Sequence, residues 1–328
     1  MKISVLDLCP VPEGSSVSQA LQNSVILAKH LEELGFPRVW YAEHHNMTGI
    51  ASAATSVLMG QILASTKKIV VGAGGVMLPN HSPLVIAEQF GTLEALYPNR
   101  VELGLGRAPG TDNYTAQALR RTLESSPNDY PHSVIELLNY FKQAEPEQKV
   151  RAVPGAGLNV PVWILGSSLY GAQLAAILGL PYSFASHFAP AELKTAIRTY
   201  RENFEPSEYL SSPKAMVALN VVIAETNEEA RFLFSSQQQA FVNLRSGKAG
   251  PLPKPKEHFV ETLAPQYRMV LDHSLSCSAI GSPETVLNQL KRFSQEVSAD
   301  EFIVTTPVWD NKKRLKSFSY LSELIPEL

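Results

Sequence analysis

The strongest constraint on the fold is a repeated alternation of apolar, strand-length runs with segments of helical periodicity. "ISVLDL" precedes "SVSQALQNSVILAKHLEELG", "RVWYAE" precedes "ASAATSVLMGQILAS", and "KKIVVGAGGV" precedes "PLVIAEQFGTLEALYP". The same pairing continues along the chain and gives eight strand-helix units. Runs such as "KIVVGAGGV" are apolar throughout, as a parallel sheet covered on both faces requires.

Eight such units predict an α/β fold, a (β/α)8 TIM barrel that forms one domain over residues 1–328. An open, doubly wound sheet gives the same local pattern and is the alternative. Helix ends are also predicted: Gly35 follows the first helix, and Ser282 and Pro283 begin "GSPETVLNQLKRF". That last helix is expected as an extra one before the final strand.

Residues 245–259 interrupt the alternation. Their sequence, "RSGKAGPLPKPKEHF", is rich in glycine, proline and lysine, which is typical of a long mobile loop. We expect this segment to be an active-site lid, and a solvated linker is the alternative.

Composition excludes several classes of partner. The 28 Lys and Arg residues nearly balance 31 Asp and Glu residues, and no basic run is present, so neither nucleic acid nor an anionic membrane is an expected partner. No apolar stretch approaches the roughly 20 residues that span a bilayer, and the first residues do not resemble a signal peptide. We therefore expect a cytoplasmic protein that acts on a small molecule.

Several histidines follow predicted strands, where a barrel of this type places its chemistry. His44 and His45 follow the second strand, His81 the third and His187 the sixth. Adjacent histidines on an extended chain point to opposite faces, and their spacing differs from the helical i, i+4 pair of zinc proteases. No metal site is therefore predicted, and a metal hydrolase is only a rival hypothesis.

A phosphate site is better supported. In "LGSSLYGAQLAAILG" a strand passes through Ser167 and Ser168 into a helix, whose first N–H groups can bind an anion. Arg107, in "LGLGRAPG", can add a charge-assisted contact, although serine is also a common helix cap without any ligand. The glycine spacing of that stretch does not match the dinucleotide fingerprint. We expect a cofactor with one phosphate.

Three stretches together resemble the luciferase-like family of flavin-dependent monooxygenases, in its single-chain, non-bioluminescent branch: "WYAEHHN", "VGAGGVMLPNHSPLVIAEQFGTLEALYPNRVELGLGRAPG" and "VWILGSSLYGAQLAAILGLPYSFASHF". The resemblance extends over the whole chain. It implies a barrel that takes up reduced FMN from a separate flavin reductase and uses O2, through a C4a-peroxyflavin, to oxidise a small organic substrate. It also implies a homodimer formed through the second and third helices.

The resemblance assigns roles to particular residues. Those expected to bind the cofactor are Gly74, Gly75, Arg107, Ser167, Ser168, Tyr170 and Gly171. The family tends to have a non-prolyl cis peptide beside the flavin ring, and the matching bond here is Gly74–Gly75. His44 would be the catalytic residue that moves a proton at the reactive edge of the flavin. Expected to contact substrate or to support His44 are Glu43, His45, Met77, His81 and His187.

The sequence also departs from the bioluminescent chains. Gly106 and Gly166 stand where those chains have a reactive cysteine and an acidic residue, so light emission with a long-chain aldehyde is not expected. Two rivals to the monooxygenase hypothesis are a deazaflavin- or flavin-dependent hydride-transfer oxidoreductase and a flavin-binding protein without turnover. The substrate itself depends on loops whose sequences do not identify it.

Overall fold

A computed structural model describes residues 1–108, 112–119 and 129–328. The strands are β1 Lys2–Asp7, β2 Arg38–Tyr41, β3 Val70–Met77, β4 Val101–Gly106, β5 Val162–Gly166, β6 Tyr182–Phe184, β7 Ala215–Ile223, β8 Ser278–Gly281 and β9 Glu301–Thr305.

The α-helices are α1 Val17–Glu33, α2 Thr55–Ser65, α3 Pro83–Leu96, α4 Asn113–Leu119, α5 Tyr130–Phe141, α6 Leu169–Ile177, α7 Leu193–Glu202, α8 Asn227–Arg245, α9 Pro265–Ser274, α10 Pro283–Glu296 and α11 Asn311–Leu324. Short 3-10 helices occupy Leu78–Asn80, Phe259–Thr262 and Ile325–Glu327. None of the helices in the described part of the chain combines the length and apolar character needed to cross a lipid bilayer.

Eight parallel strands close into a ring. β1 to β6 pair in chain order, β9 pairs with β1 and β7, and the pairing of β6 with β7 completes the barrel. The predicted TIM barrel is thus confirmed, and the open doubly wound alternative is excluded. All nine residues of β7 are buried, because the barrel interior covers one face of the strand and helices cover the other.

One strand of the sheet lies outside the ring, and the sequence pattern does not predict it. β8 pairs with the last four residues of β7, Asn220–Ile223, on the edge opposite β9. β7 is longer than its barrel neighbours require, so its far end offers unpaired backbone groups to a short segment. With only four residues, β8 has no periodicity strong enough to detect.

The predicted helix ends are present. Gly35, with φ of +80°, follows α1 in the left-handed conformation that favours glycine. Ser282 caps α10 by accepting a hydrogen bond from the Thr285 N–H at 3.4 Å, and Pro283 is the first helical residue. α10 lies between β8 and β9, as the extra helix predicted before the last strand.

Residues 245–259 pack across the end of the barrel where the strands finish. Leu252 is buried, its N–H donates to the Val11 carbonyl at 2.8 Å, and its carbonyl accepts from the Glu13 N–H at 2.8 Å. Lys256 N–H donates to the Ser235 hydroxyl at 2.7 Å. The segment therefore has a defined docked position, and its movement as a lid stays a prediction.

The opposite end of the barrel, where the strands begin, contains buried charges. Arg38 lies 3.5 Å from Glu102 and 3.4 Å from Glu301, and Trp40 Nε1 donates to Glu102 at 2.9 Å. Burial raises the pKa of Glu102, and the neighbouring guanidinium of Arg38 partly offsets this. Charges at this end of a barrel favour a role in stability, so the site is sought at the other end.

Candidate functional site

A cavity of about 190 Å³ opens at the carboxyl ends of the barrel strands. Nine residues selected from the sequence line it: His44, Gly74, Met77, Arg107, Ser167, Ser168, Tyr170, Gly171 and His187. The other four, Glu43, Gly75, His45 and His81, stand outside the lining. Closure of the barrel thus brings residues from five different strand ends to one opening.

The end of β3 is shaped by two glycines. The Gly74–Gly75 peptide bond is cis, as the family resemblance predicted. Gly74 pairs with Gly104, but the next pair joins Val76 to Leu105, so Gly75 is an extra, bulged residue. A Cβ atom on Gly75 would lie 2.7 Å from the Gly104 carbonyl oxygen. A side chain at this position would collide with β4, so only glycine fits there.

Arg107 and the start of α6 form the polar end of the cavity. The guanidinium of Arg107 lies 4.0 Å from the centroid of the Tyr170 ring, which belongs to the first turn of α6. Ser168 is the N-cap residue, yet its hydroxyl makes no capping hydrogen bond. A cation, a serine hydroxyl and a helix N-terminus therefore converge, and each of them favours an anion.

A carboxylate already contacts this helix terminus. Glu192 Oε2 accepts a hydrogen bond from the Leu169 N–H at 3.2 Å, which shows that the terminus attracts negative charge. A phosphate bound at the same N–H has to displace this side chain. Sequence reasoning missed Glu192 because it precedes α7, 23 residues further along, and no motif connects it to α6.

β5 and α6 approach each other closely beside this anion site. A Cβ atom on Gly166 would lie 3.2 Å from the Tyr182 hydroxyl and 3.3 Å from the Gly171 Cα. The Tyr182 hydroxyl in turn donates to the Ser168 carbonyl at 3.3 Å. The glycines allow the strand end to approach the helix, and the tyrosine fixes the serine loop between them.

Two imidazoles form one wall of the cavity. His44 and His187 are largely buried, and within the described structure the Nδ1 atom of each has no hydrogen-bond partner. Burial lowers the pKa of His187 to about 4, and the nearby His44 contributes to the shift. Burial, together with His45, also lowers the pKa of His44, although Glu43 opposes the shift. Both rings are therefore neutral near pH 7.

Glu43, His45 and His81 form a hydrogen-bonded cluster beside the cavity. Glu43 Oε1 accepts from the Nε2 atoms of His45 and His81, both at 2.8 Å, and Oε2 accepts from the Met77 N–H at 3.2 Å. Burial alone would raise the pKa of Glu43, but the hydrogen bonds from His81, His45 and Met77 hold it below its usual value. The cluster ties the end of β2 to the end of β3.

These three side chains also bring metal-ligand atoms within 4.8 Å of one another. The expectation of no metal site was based on the spacing of His44 and His45, which follow one strand. This cluster instead combines residues that follow two strands. In the structure each of the two imidazoles hydrogen-bonds to the carboxylate, which accounts for the proximity of the three groups. His45 and His81 thus support the strand ends, while His44 faces the cavity.

Comparisons with known proteins identify the family of the chain. A family model described as luciferase-like monooxygenase matches residues 1–301. A luciferase-like monooxygenase of Escherichia coli (strain K12) is 51% identical over 325 residues, which cover 99% of this chain and 97% of the relative. An N-acetyl-S-alkylcysteine monooxygenase of Bacillus subtilis (strain 168) is 31% identical over 99% of this chain and 98% of the relative.

Solved structures show the same fold. The crystal structure of apo-MsnO8 superposes with a TM-score of 0.88 at 32% identity, covering 99% of this chain and 98% of the other. The oxygenating constituent of 3,6-diketocamphane monooxygenase from Pseudomonas putida, in complex with FMN, has a TM-score of 0.74 at 17% identity, covering 100% and 98%. The second likeness supports the fold alone.

Proposed function

Because the chain belongs to the luciferase-like monooxygenase family, we propose that it is an FMN-dependent monooxygenase that uses reduced FMN and O2 to oxidise a small organic substrate. The observation that carries this proposal is that Arg107 lies beside the N-terminus of α6, in a cavity that His44 also lines. Reduced FMN, when bound, would supply the electrons that activate O2. A separate flavin reductase is the proposed source of the reduced cofactor.

The residues of the cavity fit a flat ring system with a single phosphate. Arg107, the hydroxyls of Ser167 and Ser168, and the first N–H groups of α6 would hold the phosphate. Gly74 lines the cavity without a side chain of its own, which suits the approach of an aromatic ring. A pyrophosphate would need a second anion site, and among the described residues the cavity lining offers one guanidinium.

His44 is the proposed proton-transfer residue. Its low pKa keeps the imidazole neutral at pH 7, so the ring can accept a proton from one reacting group and return it to another. Its Nδ1 atom has no partner among the described residues and is therefore available for such a bond. A positioned group of this kind typically contributes about 10² to 10⁴-fold to a rate.

Substitutions of His44 and Arg107 separate proton transfer from cofactor binding. His44→Ala should change the Kd of reduced FMN by less than about twofold while lowering substrate oxidation by roughly 10² to 10⁴-fold. Arg107→Ala should instead weaken FMN binding by about ten- to a hundredfold, because it removes a charge-assisted contact. The measurements are calorimetric titration under anaerobic conditions and stopped-flow reoxidation of flavin by O2.

Arg198→Ala is the matched control, since Arg198 is an exposed arginine on α7 outside the cavity lining. Wild-type protein is expected to slow the reoxidation of reduced FMN relative to free flavin, and His44→Ala to restore the fast rate. Equal losses of binding and turnover in both variants would contradict the division of roles.

The rival functions predict other results. A deazaflavin-dependent hydride-transfer enzyme would bind the reduced deazaflavin F420 more tightly than reduced FMN. A flavin-binding protein without turnover would bind FMN and leave its reoxidation as fast as in solution. Ester or amide hydrolysis that a chelator abolishes would favour a metal hydrolase.

A further inference from the structure

A second cavity, of about 290 Å³, adjoins the proposed flavin cavity. The two share one wall, formed by Leu8, His44, His187 and Phe188. The rest of the second cavity is contributed by residues 47–50 after β2, by the last turns of α8, and by residues 249–252 of the docked segment. A molecule in this cavity can therefore reach the two imidazoles that also line the proposed flavin cavity.

The walls of the second cavity are mainly apolar. Met47, Ile50, Phe241 and Leu252 line it, and Leu244 stands at its rim with 48% of its surface exposed. A ligand in the cavity can bury the exposed surface of this leucine. The lining therefore suits an alkyl or aryl group.

The charges around this cavity have one sign. Among the described residues no aspartate or glutamate lines it, whereas Arg245 and Arg314 do. Arg314 is buried and neutralised, because its Nη2 atom lies 2.8 Å from Asp7. Arg245 is exposed, packs over the Phe241 ring at 5.2 Å, and forms no ion pair within the described part of the chain. Its charge is therefore available to a ligand at the rim.

We propose that the substrate bound here is an amphipathic organic anion: its carboxylate or sulfonate pairs with Arg245, its apolar body lies between α8 and residues 47–50, and its far end reaches His44 and His187. This inference rests on the proposed function and deepens it by naming the substrate class. The proposed orientation follows from the lining, since the cation Arg245 stands at the rim and the two imidazoles form the wall shared with the flavin cavity.

The test uses 8-anilinonaphthalene-1-sulfonate, an aromatic sulfonate that becomes fluorescent in apolar sites. We expect one molecule to bind per chain. Arg245→Gln should weaken binding by about fivefold, as expected for loss of an exposed charge pair. Arg198→Gln, which removes an exposed arginine elsewhere, should leave binding unchanged. Ala240→Phe, which fills the cavity from α8, should weaken binding at least about tenfold.

Competition between the dye and either a carboxylate or the matching alcohol tests whether the cavity prefers an anion. Decanoate should displace the dye at lower concentration than decan-1-ol, and Arg245→Gln should abolish this difference. Equal displacement by the acid and the alcohol in wild-type protein, or a dye affinity that neither Arg245→Gln nor Ala240→Phe changes, would overturn the inference.

FMN titration on the same preparations separates the two proposals: if FMN binds and decanoate shows no advantage, only the substrate class is wrong. If FMN does not bind in either redox state, the proposed function itself fails.

Discussion

His44 and His187 place two neutral imidazoles on the wall between the two cavities. Each is largely removed from water, and each keeps a ring nitrogen without a partner among the described residues. A buried polar atom that stays unpaired costs free energy, so its retention favours a role in binding or proton transfer. Of the two, only His44 was assigned a catalytic role from the sequence.

Burial of His187 has a measurable consequence for stability. Burial lowers its pKa to about 4 in the folded protein from an ordinary value of about 6.5, so the unfolded chain binds a proton first as the pH falls. The stabilising contribution is complete above about pH 6.5 and is lost between about pH 6.5 and 4. Between about pH 7.5 and about pH 5, the free energy of unfolding of wild type should therefore fall by about 2 kcal/mol more than that of His187→Gln.

Urea denaturation at the two pH values, followed by tryptophan fluorescence, measures this difference. His132→Gln is the control, because His132 is exposed and the substitution should preserve the wild-type pH dependence. An unchanged pH dependence in His187→Gln would show that another group carries the effect.

At the scale of elements, glycines decide how closely strands and helices approach. A Cβ atom on Gly104, in β4, would lie 2.4 Å from the Ala73 carbonyl oxygen and 2.5 Å from Leu165 Cδ1. The nearest atom to a Cβ on Gly60, in α2, would be Leu93 Cδ2 at 3.5 Å, an ordinary contact. The same substitution should therefore have opposite effects at these two positions.

Gly104→Ala should lower the free energy of unfolding by roughly 1–3 kcal/mol, because the backbone oxygen of a neighbouring barrel strand has no room to move. Gly60→Ala should raise it by about 0.5–1 kcal/mol, since alanine is the better helix former and its methyl group fits. Chemical denaturation of both variants beside wild type is the measurement. A stabilising Gly104→Ala would mean that β4 is not packed as described.

The proposed phosphate site also depends on whole elements rather than on single residues. Arg107 follows β4, Tyr170 lies in the first turn of α6 and Glu192 precedes α7. Their proximity depends on the order of neighbouring strands in the ring. The sequence predicted the first two as a pair through the family resemblance. The third could be found only by following α7 back to the mouth of the barrel.

In the whole molecule, the buried ion pairs and the cavities lie at opposite ends of the barrel. Arg38 and its buried acidic partners lie where the strands begin, and both cavities lie where they end. The outer surface of α2 and α3 carries exposed apolar residues, including Val57, Val85 and Leu96. This surface matches the homodimer contact that the resemblance implied, which stays a prediction.

Val57→Glu tests that contact. Val57 is 73% exposed on α2, and burying a carboxylate at an apolar interface is costly, so the variant should be monomeric at concentrations where wild type is dimeric. Light scattering after size-exclusion chromatography measures the mass. Ile177→Glu, which places the same charge on a 61% exposed residue of α6, should remain dimeric. A monomeric wild type would contradict the predicted dimer.

The family, the barrel and several helix ends could be predicted from the sequence, because each depends on patterns within a few tens of residues. Eight strand-helix units favoured the barrel over an open sheet, and Ser282 and Pro283 predicted the start of α10. The match over residues 1–301 confirmed the family resemblance. The Gly74–Gly75 bond was identified through the family resemblance as the match to a cis peptide, and the structure shows that it is cis.

Tertiary structure alone decided which distant side chains share a site. Glu43 joins His45 to His81, Glu192 contacts α6, and Arg245 stands over a second cavity, and none of these follows from periodicity. The physical reason is that hydrophobic patterning and capping act locally. Contacts between strand ends and loops depend instead on ring closure and strand register, which fix the positions of residues far apart in the chain.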